Sequence, residues 1–202
     1  MWLRLMPLID IGKKWTTGEL KTEAMKGNIN LLPLIRSSGS GYSLLRAEDG
    51  EGYYRGGSVT GTQSDQSNTI KTDSVAFAFR SGEVWSIETA LLAYDKDKIY
   101  YTDLEKVFVQ SIGNYREFLK QLGIELPLQW KAGLVGVRGR HLGYPSAPNH
   151  YWTGHGPVCA ADLIEVEGII ESNEQSSLTT LMPFFEKIFE ECGIGRPDYL
   201  PR

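Results

Sequence analysis

The sequence SVAFAFRSGEVWSIETALLAY, at Ser74–Tyr94, decides the fold of this chain. It is the longest apolar segment, and the turn signal Arg80-Ser81-Gly82 lies near its middle. A three-residue loop needs a positive φ only at Gly82, whereas a two-residue loop needs one at Ser81, where serine disfavours it. The stretch therefore predicts a β-hairpin that turns at a glycine bulge.

This loop length determines which side chains share a face of the hairpin. It places Phe77 opposite Trp85, and a slip of one residue would mix bulky and small side chains on both faces. The bulky face then consists of Val75, Phe77, Phe79, Trp85 and Ile87. The small face consists of Ala76, Ala78, Val84 and Ser86. We expect a long helix to cover the bulky face, and the small face to let another element or a ligand approach closely.

The composition is that of an ordinary globular protein. The chain has 202 residues, of which 41% are hydrophobic and 23% are charged, and this is enough for one domain with a sizeable core. We predict a single α+β domain over residues 1–202, either a complete chain or the C-terminal fragment of a longer protein. The net charge of −4 argues against a general polyanion binder but permits a local basic patch.

The cysteines and the start of the chain indicate the cellular setting. Two cysteines, Cys159 and Cys192, are too few for a disulfide framework, so we predict a reduced, cytoplasmic environment. The apolar run at the start is too short to span a membrane and lacks the flanks of a signal peptide. We therefore expect no membrane partner.

Helical patterns complete the predicted fold. Apolar residues recur at helical spacing between Thr102 and Gly123, and Thr102 with Glu105 matches a capping box. Thr16 with Glu19 matches another capping box, before a shorter helix. A last helix is predicted near the C-terminus. Together with several short strands, these patterns predict an α+β fold, with a largely antiparallel sheet and two main helices packed on one face.

The segment Gly56–Asp73, GGSVTGTQSDQSNTIKTD, is polar and rich in Ser, Thr, Gly and Gln. A loop of this length inside a compact domain is either functional or disordered. Two interpretations stay open at this point. The segment is either a mobile surface loop or a loop that closes over a ligand.

A basic and aromatic cluster is the first candidate site. Arginines near exposed aromatic rings suit phosphate contact combined with base stacking. The spacing matches no known code, and a rim of solvated side chains would give the same pattern. The cluster comprises Trp130, Lys131, Arg138, Arg140, His141, Tyr144, Tyr151 and Trp152.

Other patterns do not establish a catalytic or metal site. The spacing of His150, His155, Cys159 and Asp162 matches no standard zinc motif, so we predict no metal. Acidic residues cluster near one predicted strand, where a solvated sheet edge explains them; they are Asp162, Glu165, Glu167 and Glu171. The chain contains no phosphate-binding loop, dinucleotide fingerprint or nucleophile elbow, so no cofactor is predicted.

The segment GYYRGGSVT, at Gly52–Thr60, resembles the tyrosine–arginine–glycine–serine segment of AlbA-like, Schlafen-related DNA-binding domains of bacteria. The regions that follow this domain in such proteins are similar to FAFRSGEVWSIET, EKVFVQSIGNYREFLKQLGIE, QWKAGLVGVRGRHLGYP and PFFEKIFEECGIGRPDYL. The resemblance implies the C-terminal part of a larger, ATP-associated protein that binds DNA or RNA, in regulation or defence. It also implies that Tyr54, Arg55 and Ser58 contact nucleic acid.

Three hypotheses for function follow. The first is a non-catalytic recognition or sensor domain of a nucleic-acid-binding bacterial regulator. The second is a hydrolytic enzyme with its site under the 56–73 loop, using the carboxylates or His150 and His155; the sequence favours a non-catalytic chain without deciding this. The third is an oligomerisation or interaction domain. Expected partners are nucleic acid, other domains of the parent chain, or further copies of this chain.

Overall fold

The computed structural model describes residues 1–9, 12–25, 42–55, 59–60, 69–70, 72–147 and 156–201. The helices in these ranges are α1 (Thr17–Met25), α2 (Ala90–Tyr94), α3 (Tyr101–Gln121) and α4 (Ser177–Glu191). The strands are β1 (Trp2–Pro7), β2 (Tyr42–Ala47), β3 (Gly50–Arg55), β4 (Val59–Thr60), β5 (Thr69–Ile70), β6 (Ser74–Phe79), β7 (Val84–Glu88), β8 (Lys98–Tyr100), β9 (Leu128–Val135), β10 (His141–Gly143) and β11 (Leu163–Ile170).

One seven-stranded sheet forms the centre of the fold. Its strand order is β11-β9-β1-β7-β6-β3-β2, and every neighbouring pair is antiparallel. The two long helices, α3 and α4, pack against each other and against β1 and β11 on one side of this sheet. The predicted α+β class, with a largely antiparallel sheet, is therefore confirmed. Among the described residues, no helix is both long and apolar enough to cross a bilayer.

The hairpin of β6 and β7 has the predicted register. Phe77 lies opposite Trp85. The Phe79 N–H donates to the carbonyl oxygen of Glu83 at 2.8 Å, so the loop contains three residues. Gly82 has a φ of 83°, the left-handed conformation that the bulge requires.

The helices cover the small face of this hairpin, so the prediction that they cover its bulky face is wrong. Ala76 and Ser86 are fully buried, whereas Ile87 is 42% exposed. The bulk comes from the helix instead, because Tyr115 of α3 is buried there and its hydroxyl hydrogen-bonds to Ser86. Small residues on the sheet leave room for large residues on the helix. All eight apolar residues of the predicted helical stripe are buried; they are Leu104, Val107, Phe108, Ile112, Tyr115, Phe118, Leu119 and Leu122.

The other side of the sheet, which carries the bulky face, is called the open face below. Its rings pack over the sheet's own glycines. A Cβ at Gly52 would lie 2.9 Å from the Phe77 ring, and one at Gly133 would lie 2.5 Å from the Trp2 ring. Trp2 and Trp85 stack with their centroids 6.4 Å apart. The aromatic side chains thus gain partial burial from neighbouring strands.

One of the two predicted capping boxes is present. The Thr16 N–H donates to the Glu19 carboxylate at 2.7 Å, and the Glu19 N–H donates to Thr16 Oγ1 at 3.2 Å. The prediction of the other, Thr102 with Glu105, is wrong, because α3 begins at Tyr101 and has no side-chain cap. Glu105 instead accepts a hydrogen bond from Arg196 at 2.9 Å. A buried cation is a stronger partner for a carboxylate than an exposed main-chain N–H.

Candidate ligand-binding cleft

The structure separates neighbouring residues of the predicted basic and aromatic cluster. Trp130 lies on the helix side of β9 and is 2% exposed, so its ring belongs to the core. Lys131 lies on the open face, where its Nζ is 2.6 Å from a carboxylate oxygen of Glu165. Successive residues of a strand point to opposite faces. Proximity in the sequence therefore does not bring these two side chains to one surface.

Arg140 has a structural position. Its guanidinium donates to the carbonyl oxygens of Gly136, Leu92 and Asp95 at 2.8, 2.5 and 2.9 Å. Three of its five N–H groups are thus used inside the protein. It connects the turn after β9 to the residues at and after α2.

The other predicted contacts are spread over the molecule. Arg138 is exposed, and His141 lies in β10 with Nδ1 2.8 Å from the carbonyl oxygen of Gly156. Tyr54 lies in β3 opposite Val75, on the open face. The residues Ser58, His150, Tyr151, Trp152 and His155 lie outside the described ranges.

The substitution Arg140→Ala is expected to lower the free energy of unfolding by about 1–3 kcal/mol, because it removes the donor from three carbonyl groups. The exposed Arg138→Ala is the matched control, with an expected change within about 0.5 kcal/mol. Urea denaturation followed by circular dichroism measures both. Equal losses of stability in the two variants would contradict a structural role for Arg140.

A cleft of about 260 Å³ lies at the end of the sheet where β3 ends and β6 begins. Two strand ends and the short helix α2 meet there, beside the start of the segment 56–71. The cleft is lined by Arg55, Asp73, Ser74, Glu88, Ala90, Leu91 and Tyr94.

Hydrogen bonds fix the main chain beside this cleft. Thr72 Oγ1 lies 2.7 Å from the Arg55 carbonyl oxygen and 2.8 Å from that of Ser74. The Asp73 N–H donates to the Arg55 carbonyl oxygen at 3.1 Å, and the Thr89 N–H donates to the Asp73 carbonyl oxygen at 2.8 Å. We call Arg55, Thr72, Asp73 and Thr89 the neck. The neck holds together the residues that flank the segment 56–71.

Two residues of the lining each have a buried polar atom with no hydrogen-bond partner among the described residues. The atoms are Ser74 Oγ and Glu88 Oε2. The two residues are only 2% and 3% exposed. An unpaired buried polar group costs about 1–3 kcal/mol, and more when it is charged. Because both residues line the same cleft, a bound molecule can serve as partner for both.

The other carboxylate oxygen of Glu88 already has a hydrogen-bond partner. Glu88 Oε1 accepts a hydrogen bond from the Leu91 N–H at 2.7 Å. Burial raises the pKa of this carboxyl group, and the Leu91 N–H, the Met1 amino group and the Ala90 N–H oppose the rise only in part. The side chain is thus held in place, with one oxygen left for another donor.

Glu88→Gln is expected to raise the Tm of the ligand-free protein at a pH well above the raised pKa, and to leave it unchanged below the ordinary value of 4.5. Between these two pKa values the folded state binds more protons than the unfolded state, so stability falls as pH rises. The amide removes this dependence while its oxygen still accepts from Leu91. Thermal unfolding across pH measures the effect, and a Tm loss at every pH would contradict it.

The sequence contained one weak signal for this site. Ser74, Ser86 and Glu88 follow the alternation of the small face, which the structure shows to be buried. Polar residues on a buried strand face need partners. Sequence alone could not show that Ser86 finds them, in the Val75 carbonyl oxygen and Tyr115, whereas Ser74 and Glu88 retain unpaired atoms.

A larger cavity, of about 590 Å³, lies between the end of α3 and the connection from β11 to α4. Arg116, one of its two cations, donates to the carbonyl oxygen of Gln175 at 2.7 Å and so stabilises the fold. Within the described ranges, its lining includes none of the buried polar atoms that lack a partner. The smaller cleft is therefore the better candidate, since its lining residues include polar groups that lack a partner.

The remaining candidates form no second site among the residues that the structure describes. In the part of the chain that the structure describes, no three His, Cys, Asp or Glu residues lie close enough to hold a metal ion. Cys159 and Cys192 are free, buried and hydrogen-bonded to each other. No family model, curated protein or solved structure matches this chain. The cleft is therefore assigned from geometry and electrostatics.

Proposed function

We propose that this chain is a non-catalytic sensor domain that binds a small polar molecule in the cleft beside the neck. The observation that carries the proposal is that two residues lining one cavity, Ser74 and Glu88, each have a buried side-chain oxygen without a partner. Cavities that bind small molecules combine an apolar wall with a few polar groups in fixed positions. Here Leu91 and Ala90 supply the apolar wall.

Binding is better supported than catalysis. The described lining includes no histidine or lysine, and no base hydrogen-bonds to the Ser74 hydroxyl. A serine nucleophile requires such a base. Two carboxylates of the hydrolase hypothesis, Glu165 and Glu167, lie on β11 at the far edge of the sheet, near Lys131, and the other two, Asp162 and Glu171, flank the same strand.

The resemblance to AlbA-like, Schlafen-related proteins supports a role in a nucleic-acid-binding regulator. The sensor would then report the ligand to the rest of the parent chain. Arg55 and Asp73 line the cleft and belong to the neck, so a ligand there contacts residues on either side of the segment 56–71. Most of that segment lies outside the described ranges, so both interpretations of it stay predictions.

Thermal shift with a panel of small polar molecules tests the proposal. A ligand is expected to raise the Tm of the wild-type protein at saturating concentration, because it binds only the folded state. The shift should be lost in Ser74→Ala and retained in Ser43→Ala, the matched control on an exposed position of β2. If no molecule raises the Tm, or if Ser74→Ala leaves every shift intact, the proposal fails and ordered water is the partner of these atoms.

A second candidate function is stacking of single-stranded nucleic acid on the open face. Trp2, Trp85 and Phe77 lie on three adjacent strands there, with the Arg4 guanidinium carbon 5.3 Å from the Trp85 ring centroid. Aromatic rings on a sheet are a common platform for unpaired bases. The cations beside them are already paired with carboxylates, Arg4 with Glu83 and Lys131 with Glu165.

Because these cations are paired, any oligonucleotide affinity is expected to depend weakly on salt. We expect Trp85→Ala to reduce it about tenfold or more, since stacking contributes about 1–3 kcal/mol per base. Fluorescence anisotropy with a labelled single strand at two salt concentrations measures both effects. Tyr199→Ala, which removes an exposed ring elsewhere, is the control. Absence of binding at low salt would exclude this function.

A further inference from the structure

We propose that the ligand of the cleft is an organic cation that carries N–H groups, an alkylammonium or alkylguanidinium ion. This inference rests on the proposed sensor function and names the chemical class of its ligand.

The charges of the lining favour a cation. The described residues contribute two carboxylates, Glu88 and Asp73, and one guanidinium, Arg55. These lining groups are net negative when both acids are ionised. The cation next to them is the Met1 amino group, which donates to the Glu88 main-chain carbonyl oxygen at 2.8 Å and whose pKa is lowered by burial. Glu88 is the buried member of the pair, whereas Asp73 is exposed. A buried carboxylate gains most from an opposite charge, because water does not screen it.

The unpartnered atoms specify the kind of cation. Glu88 Oε2 in its ionised form accepts hydrogen bonds and cannot donate them, and Ser74 Oγ can both accept and donate. An ammonium or guanidinium group has several N–H donors in one small volume, enough for both atoms. A quaternary ammonium ion has none and would leave both unpaired. A carboxylate ligand would place its negative charge beside Glu88.

The size of the cleft and the residue at its rim limit the rest of the ligand. At about 260 Å³, the cleft is below the range of about 300–1,000 Å³ for drug-sized ligands. Leu91 and Ala90 offer contact to a short alkyl chain. Tyr94, 74% exposed at the rim, can attract a cation through its ring face. A short-chain amine or guanidine fits these limits.

Binding of such a cation is expected to be linked to protonation of Glu88. Burial raises its pKa, Asp73 raises it further, and the Leu91 N–H and the Met1 amino group lower it. Arg55 on β3 and Tyr94 on α2 are the other ionisable groups of the lining. The cation binds the ionised form, so affinity should increase as pH rises through the raised pKa and then level off. Below that pKa, binding should release a proton to the buffer.

Isothermal titration calorimetry with four butyl compounds tests the inference. The probes are butylamine, butylguanidine, butyltrimethylammonium and butyrate, which share one alkyl chain and differ in the charged group. We expect butylamine or butylguanidine to bind wild-type protein. The affinity for butyltrimethylammonium should be at least tenfold lower, and butyrate should not bind. Repeating the titration in buffers of different ionisation enthalpy measures the released proton.

Two substitutions with the same change of charge separate a local effect from a general one. Glu88→Gln should weaken binding of the amine at least tenfold and remove its pH dependence. Glu165→Gln, at the far edge of the sheet, should leave both unchanged. Asp73→Asn, on the exposed side of the cleft, should weaken binding of the amine, but less than Glu88→Gln does. If Glu88→Gln does not fold, unchanged binding in Asp73→Asn would contradict the inference.

The possible failures are distinguishable. If butyrate or a neutral molecule from the panel binds, and Glu88→Gln does not weaken it, the ligand class is wrong while the sensor function stands. If no butyl compound and no panel molecule binds, the sensor function itself is wrong.

Discussion

Replacing Trp130 by alanine is expected to lower the free energy of unfolding by about 3–5 kcal/mol, the range for large aromatic residues in a core. Trp130 is 2% exposed on the helix side of β9. Its indole also packs against the next strand, because a Cβ at Gly168 would lie only 2.8 Å from it. Alanine would leave a cavity between this strand pair and the helices, and glycine has no side chain with which to fill it.

Trp85→Ala is the matched control, because Trp85 lies on the opposite side of the same sheet and is half-buried. Its ring contacts Trp2 and Arg4, and its Nε1–H donates to the Glu83 carboxylate. We expect a clearly smaller loss of stability for this variant. Urea denaturation monitored by far-ultraviolet circular dichroism compares the two. A larger loss for Trp85→Ala would mean that the helices cover the other face.

Gly52→Ala is expected to destabilise the protein at or above the upper end of the roughly 1–3 kcal/mol typical of overpacking. An added Cβ would lie 2.2 Å from the carbonyl oxygen of Ala76 on the neighbouring strand and 2.9 Å from the Phe77 ring. The ring could rotate, but the carbonyl oxygen belongs to the main chain. The strands β3 and β6 would therefore have to separate, which weakens their hydrogen bonds.

Gly195→Ala tests whether the destabilisation is specific to position 52. A Cβ there meets no atom within 4 Å, and the residue does not have a positive φ. We expect a change within about 0.5 kcal/mol, as for other surface substitutions. Thermal or urea unfolding of the two variants gives the comparison. Similar losses for both glycines would contradict the close approach of β3 to β6.

The hairpin could be predicted from sequence because its register depends on local chemistry. Gly82 tolerates the conformation of the bulge, and the turn then pairs Phe77 with Trp85. Which face the helices cover depends on distant residues. Tyr115 of α3 supplies the bulk at this contact, so the sheet needs small residues there. Alternation separates a strand into two faces without showing which one is buried.

The candidate site was harder to predict than the fold. The sequence drew attention to Trp130, Lys131 and Arg140 because they are close together and chemically suitable. The strand pleat and the hydrogen bonds of Arg140 assign these side chains to different tasks. By contrast, Ser74 and Glu88 are ordinary residues in an apolar stretch. They stand out because each has a buried oxygen atom without a hydrogen-bond partner. Whether a buried atom finds a partner depends on the whole surrounding structure.

The neck has a further consequence for engineering this protein. Thr72 and Asp73 hydrogen-bond to the carbonyl oxygen of Arg55, so the residues on either side of the segment 56–71 lie next to each other. The entropy of closing a loop rises slowly with its length, by about 0.6 kcal/mol for each doubling. An inserted peptide or a fluorescent reporter should therefore be accepted here with little effect on folding. Joined beside Glu88, such a reporter would turn occupancy of the cleft into an optical signal.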